Sequence, residues 1–86
     1  MLYTLEEGLQ KVDDVLAERI DYLSYRGVGT NVHELLAEKA LFSDCVVDIS
    51  RNTDCKDDEE KEIFRKKYCD IKELFSKQIL LIAKPR

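Results

Sequence analysis

The residues with the clearest chemical potential form a short glycine-containing segment, Arg26-Gly27-Val28-Gly29-Thr30-Asn31. It leads into a predicted helix, whose first turn has unpaired backbone N–H groups that can bind an anion. Arg26 would add a charge-assisted hydrogen bond, and Tyr22 or Tyr25 could lie against a base or another planar ligand. The predicted site for an anion or a nucleotide comprises Tyr25, Arg26, Gly27, Gly29, Thr30 and Asn31.

The same segment also has a purely structural explanation. A glycine after Arg26 can end the preceding helix, and the remaining residues are then a turn. The segment matches neither the P-loop nor the dinucleotide-binding pattern, and it follows a predicted helix where both of those follow a strand. From the residues alone, both explanations stay open.

The histidine and the cysteines form no recognisable metal or catalytic motif. Zinc sites usually bring two ligands within a few residues of each other, and His33, Cys45, Cys55 and Cys69 contain no such pair. Cys45 and Cys69 fall within or beside apolar stripes and are predicted to be small buried hydrophobic residues. A nucleophilic cysteine also needs a nearby base. We therefore predict no metal, no cofactor and no catalytic residue.

Two charged clusters are explained by helix stability without a ligand. Acidic residues at positions 57–62 crowd the predicted start of a helix, where they suit the positive end of the helix dipole. The basic run Arg65-Lys66-Lys67 follows them at the spacing of intrahelical salt bridges. A helix-turn-helix protein reads bases with side chains at the start of its recognition helix. Those positions are acidic here, so we do not expect nucleic-acid binding.

Helix-start signals divide the chain into three helices. Thr4 and Glu7 form a capping box, which predicts a first helix over about residues 5–26. Asn31 supplies the next capping signal, for a second helix over about residues 32–50. The apolar positions of the first and third helices recur at intervals of three and four, as on one helical stripe.

The third helix is predicted over about residues 57–83, and Pro85 closes it. At 1.5 Å per residue it would be about 40 Å long and would extend beyond its neighbours. The short connections favour an all-α, antiparallel three-helix bundle, a single domain over residues 1–86, with an open interlocked dimer as the main rival.

Gly8 falls on the buried side of the first helix, in line with Val15 and Tyr22 at seven-residue spacing. It could allow another backbone to approach closely. It could also merely weaken the first turns of the helix.

The apolar residues exceed what one small core can bury. The second helix is apolar over more than one stripe, and such a helix is usually covered on two sides. The end of the third helix is apolar all round and cannot face a single core. The predicted surface for self-association or a partner protein comprises Leu74, Ile79, Leu80, Leu81 and Ile82.

Composition narrows the class of protein. The net charge of −4 argues against broad attraction to nucleic acid or to an anionic membrane. The longest apolar run, at positions 79–83, is far below the ~20 residues that span a bilayer. Three cysteines without a signal peptide indicate reduced thiols, so the expected location is the cytoplasm.

These features predict a non-enzymatic helical interaction protein, a regulator, inhibitor or adaptor. It would bind a partner protein and self-associate, with a dimer favoured. The alternative is a small module that binds an anion or a nucleotide at positions 27–31. Compact helical proteins of this kind are frequent among viral and mobile-element accessory proteins, which suggests such a source.

Overall fold

Three helices make up most of the structure, a computed structural model that describes residues 2–29 and 31–83. They are α1 (Leu5–Arg26), α2 (Val32–Arg51) and α3 (Asp58–Ile82). They pack together as a compact bundle, and the described residues contain no β-sheet. The predicted all-α fold of three helices is thus confirmed. α3 is the longest helix, with 25 residues against 22 and 20.

Polar side chains begin each helix. Thr4 Oγ1 accepts from the backbone N–H of Glu7 at 3.2 Å, and the Glu7 carboxylate accepts from the N–H of Thr4 at 3.0 Å. Asn31 caps α2 and Asp57 caps α3, each with a side-chain oxygen less than 3 Å from a backbone nitrogen of the first turn. Each cap satisfies a donor that the helix itself leaves unpaired.

One apolar core joins the three helices. At its centre Phe42 of α2 stacks on Phe75 of α3, with ring centroids 4.3 Å apart and planes inclined by 10°. The buried residues of this core are Val12, Leu23, Phe42, Val46, Ile49, Phe64, Ile71, Phe75 and Ile79. Because α2 and α3 turn these residues inward, Cys45 and Cys69 are left beside the core and are exposed. Their predicted burial is wrong.

The last turns of α3 pack against the bundle. Ile79 and Ala83 are buried, and Ile82 is half-buried against the core. Leu23 and Val28, from the end of α1 and the loop after it, belong to the same core. The prediction that α3 extends beyond its neighbours is therefore wrong for the described part of the helix, which ends at Ala83.

The segment before α1 is joined to the α2–α3 connection by an isolated parallel β-bridge. The N–H of Tyr3 donates to the carbonyl of Asn52 at 2.7 Å, and the N–H of Asp54 donates to the carbonyl of Tyr3 at 2.8 Å. Between them Thr53 is buried, and its hydroxyl donates to the carbonyl of Ile49 at 2.7 Å. No hairpin or strand pattern predicted this contact.

Gly8 is the place where α1 meets Thr53. A Cβ atom at Gly8 would lie 2.7 Å from Thr53 Cγ2 and 3.1 Å from Thr53 Cβ, distances that real Cβ atoms rarely show. The predicted close approach at Gly8 is thus present, but the atoms that approach belong to the Thr53 side chain and not to another backbone. What approaches is the α2–α3 connection.

Gly8→Ala is expected to lower the free energy of unfolding by about 1–3 kcal/mol, the usual effect of overpacking. Alanine gains up to about 1 kcal/mol over glycine in helix propensity, so the clash must exceed this gain. The Thr53 side chain cannot easily move away, because it is β-branched and its hydroxyl donates a hydrogen bond to the carbonyl of Ile49. Urea denaturation followed by far-UV circular dichroism measures the change. In the Gly8→Ala/Thr53→Ala variant, the loss in free energy of unfolding should be smaller than the sum of the losses in the two single variants. If the Gly8→Ala variant were as stable as the wild type, the clash would be contradicted.

Candidate functional site

The loop between α1 and α2 begins with a helix-ending glycine. Gly27 has φ 86°, which L side chains rarely adopt, and its N–H donates to the carbonyl of Leu23 at 2.7 Å. This geometry bears out the structural explanation of Gly27. Thr30, which the sequence placed in the same site, lies outside the described residues.

A carboxylate of the protein itself lies where the anion was predicted to bind. Glu34 pairs with Arg26 at 3.1 Å, and a Cβ at Gly29 would lie 3.3 Å from the carboxylate carbon of Glu34. The side chain of Asn31 is engaged as the cap of α2. A bound anion would have to separate Arg26 from Glu34, so no observation favours the anion or nucleotide module.

Arg26 belongs to a larger polar cluster between α1 and α2. Glu38 is only 5% exposed; one of its oxygens accepts from Arg19 Nη2 at 2.5 Å, and the other lies 3.6 Å from Arg26 Nη1. The ring of Tyr22 lies between the two guanidinium groups, whose Cζ atoms are 5.0 Å (Arg19) and 5.9 Å (Arg26) from its centre. Both arginines are therefore engaged within the protein.

The cluster also favours the charged form of Arg26. A hydrogen bond with Tyr22 is the main cause that raises the pKa of Arg26, and burial opposes the rise. Electrostatic interactions with Tyr22, Glu38 and Glu34 add to it. Arginine is already charged at any physiological pH, so these groups hold a permanent cation between α1 and α2. Tyr25 takes no part in the cluster and is 95% exposed.

The described ranges 2–29 and 31–83 contain neither a metal-binding cluster nor a membrane-spanning helix. No three His, Cys, Asp or Glu side chains converge there as a metal ion would need. Likewise, none of the three described helices has an apolar stretch long enough to cross a bilayer.

The predicted interface residues of α3 divide into a buried and an exposed group. Ile79 is fully buried and Ile82 half-buried in the protein's own core, because a run of four residues goes once round a helix and one side must face inward. Ile79 is therefore removed from the predicted interface. Leu74, Leu80 and Leu81 are exposed, the last two at 56% and 66%.

Leu80 and an exposed leucine of α2 stand at similar distances along their helices from a crevice between α2 and α3. Lys39 of α2 and Ser76 of α3 line one small crevice between the two helices. Leu36 stands three residues before Lys39, and Leu80 stands four residues after Ser76. If α2 and α3 run antiparallel, as proposed below, these similar steps along the two helices bring the two leucines side by side. Leu36 is 56% exposed.

We use the name apolar end surface for the large exposed apolar side chains in the first half of α2 and the second half of α3. Its members are Val32, Leu36, Leu74, Leu80 and Leu81. The sequence had singled out only the α3 members. The apolar excess of α2 was the signal that pointed to Val32 and Leu36.

Comparison of the chain with protein-family models, with curated proteins and with solved structures finds no match. The chain's own surfaces are thus the basis for a functional proposal.

Proposed function

We propose that this chain is a non-enzymatic interaction protein of the cytoplasm, a regulator, inhibitor or adaptor that forms a homodimer and binds a partner protein. The observation that carries the proposal is the apolar end surface. Single exposed leucines are common on soluble proteins, whereas apolar side chains that adjoin one another usually mark an interaction site, and we propose Leu36 and Leu80 as such a pair.

A second copy of the chain suits this surface because the charges beside it have both signs. Glu73 and Lys77 form an exposed pair at 3.3 Å on α3; Glu73 directly precedes Leu74, and Lys77 stands three residues before Leu80. In a two-fold dimer the same patch meets itself, so Lys77 of one copy can pair with Glu73 of the other. A partner protein would then add to this surface or compete for it.

The antiparallel, up-down-up order of the helices is part of the proposal. It is supported by contacts between opposite ends of consecutive helices: Arg26 at the end of α1 pairs with Glu34 near the start of α2. Gly8 in α1 meets Thr53 after α2. This order brings the start of α2 and the end of α3 together, as a two-helix dimer contact requires.

The test is the mass of the protein in solution. Sedimentation equilibrium should give a mass above the 10.0 kDa of one chain. Leu36→Glu or Leu80→Glu should restore the monomer, because each places a charge in an apolar contact. Leu41→Glu is the matched control, since Leu41 is a leucine of α2 with 52% exposure that lies on the other side of the helix.

A wild-type protein that stays monomeric at high concentration would contradict the dimer, and so would equal dissociation of the Leu41→Glu control. Ile79→Asp is unsuitable as a test because it would disrupt the core. For the partner, affinity capture from the native host should compare wild-type and Leu80→Glu baits. A partner held equally by both would not use this surface.

A further inference from the structure

A cavity of about 650 Å³ opens where α2 gives way to α3, at the opposite end of the bundle from the apolar end surface. Leu2, Val47, Phe64 and Tyr68 give it an apolar lining. Phe64 is buried and Tyr68 half-buried, so the lining is held in place by the core. The volume falls within the roughly 300–1,000 Å³ of small-molecule sites.

The charged side chains of this cavity are mainly basic. Arg51, Lys61 and Arg65 line it against a single carboxylate, Asp54. Within the described residues, Arg51 and Lys61 form no ion pair, and Arg65 has only an exposed contact of 3.5 Å with Glu62. In a chain with a net charge of −4, this is a local excess of positive charge. We call it the basic cavity.

An adjoining cavity of about 430 Å³ has the opposite charge. It shares Leu2 and Asp54 with the basic cavity, but its other charged residues are Glu6, Glu60 and Lys56. The segment before α1 therefore separates an acidic compartment from a basic one. An anion would be attracted to the basic cavity and repelled by its neighbour.

We propose that the basic cavity binds a small amphipathic anion, a molecule with an aliphatic or aromatic body and one carboxylate or phosphate group. The body would lie against Val47, Phe64 and Tyr68, where burial of apolar surface favours binding. Arg51 and Arg65 would hold the anionic group, because guanidinium donates two parallel hydrogen bonds to carboxylate or phosphate.

The cysteines allow occupancy of the cavity to be measured directly. Cys55 lines the basic cavity and is half-buried, whereas Cys45 and Cys69 are exposed elsewhere. Decanoate and decyl phosphate, below their micelle concentrations, should slow the reaction of Cys55 with a maleimide, resolved by peptide mass spectrometry. The rates at Cys45 and Cys69 should not change. Decan-1-ol has the same chain without the charge and should protect Cys55 at least about tenfold less effectively, as expected for a lost charge-assisted hydrogen bond.

Charge-removing variants test the role of the arginines. Arg51→Gln/Arg65→Gln should weaken protection by decanoate about tenfold or more and leave the effect of decan-1-ol unchanged. Lys11→Gln/Lys66→Gln is the control, because it removes two exposed cations that line neither the cavity nor the proposed dimer contact. Far-UV circular dichroism checks that both double variants fold.

Three outcomes would overturn the proposal: no protection of Cys55 by either anion, equal protection by decan-1-ol, or the same weakening in the control variant. Cosedimentation with vesicles of anionic phospholipid, without protection by the monomeric anions, would assign the basic residues to a membrane surface and would also overturn it.

Discussion

Replacing Phe75 with alanine should lower the free energy of unfolding by about 3–5 kcal/mol, because it removes a buried ring and leaves a void. Phe75 is almost completely buried, and its ring stacks on that of Phe42. A small domain has about 5–15 kcal/mol of stability in total, so the variant should be close to the limit of folding. Urea denaturation followed by circular dichroism would show an early transition or none.

Ile63→Ala is the control for this substitution, since Ile63 lies on the same helix and is exposed. It should lose less than about 1 kcal/mol. Phe42→Ala should resemble Phe75→Ala, and the double variant should lose less than the sum, because the two rings share one contact. A loss at Phe75 no larger than at Ile63 would contradict a core centred on the stacked rings.

Arg19→Met should destabilise the fold by about 3 kcal/mol, near the lower end of the range for breaking a buried ion pair. The substitution leaves the carboxylate of Glu38 buried, and among the residues that the structure describes only Arg26, at 3.6 Å, remains to compensate it. Methionine keeps the apolar stem of arginine, so the loss reports charge more than packing. Urea denaturation at neutral pH measures it.

The double variant Arg19→Met/Glu38→Met should recover most of this loss, since an apolar pair has no charge to desolvate. Within the described residues, Arg19 Nε is already buried without a hydrogen-bond partner, which makes recovery easier. Arg65→Met, which breaks an exposed pair, should change stability by less than about 1 kcal/mol. If the double variant were as unstable as Arg19→Met, the buried charge would not be the cause.

The helices and their ends could be predicted from the sequence because their determinants are local. The capping box of Thr4 and Glu7 and the helix-ending Gly27 each act within one turn of the residues that they cap. Phe64, Ile71 and Phe75 are buried at the helical spacing that was predicted for the apolar positions of the third helix. None of these features requires knowledge of a distant residue.

The remaining features depend on pairs far apart in the chain. Gly8 could be assigned a close approach but not its partner, Thr53. The loop between α1 and α2 was predicted to bind an anion because the sequence did not reveal that the carboxylate of Glu34 pairs with Arg26. The buried pair of Arg19 and Glu38 gave no sequence signal, because an isolated Glu on a charged helix is usually exposed.

The β-bridge between Tyr3 and Thr53 also bears on the order in which the chain folds. It joins residues about 50 positions apart, and closing so long a loop before the helices have packed is entropically unfavourable. We therefore expect the bridge to form after the rate-limiting step. Contacts formed so late slow unfolding and leave the folding rate nearly unchanged. The bridge would then determine the lifetime of the folded state, and not the rate at which the chain folds.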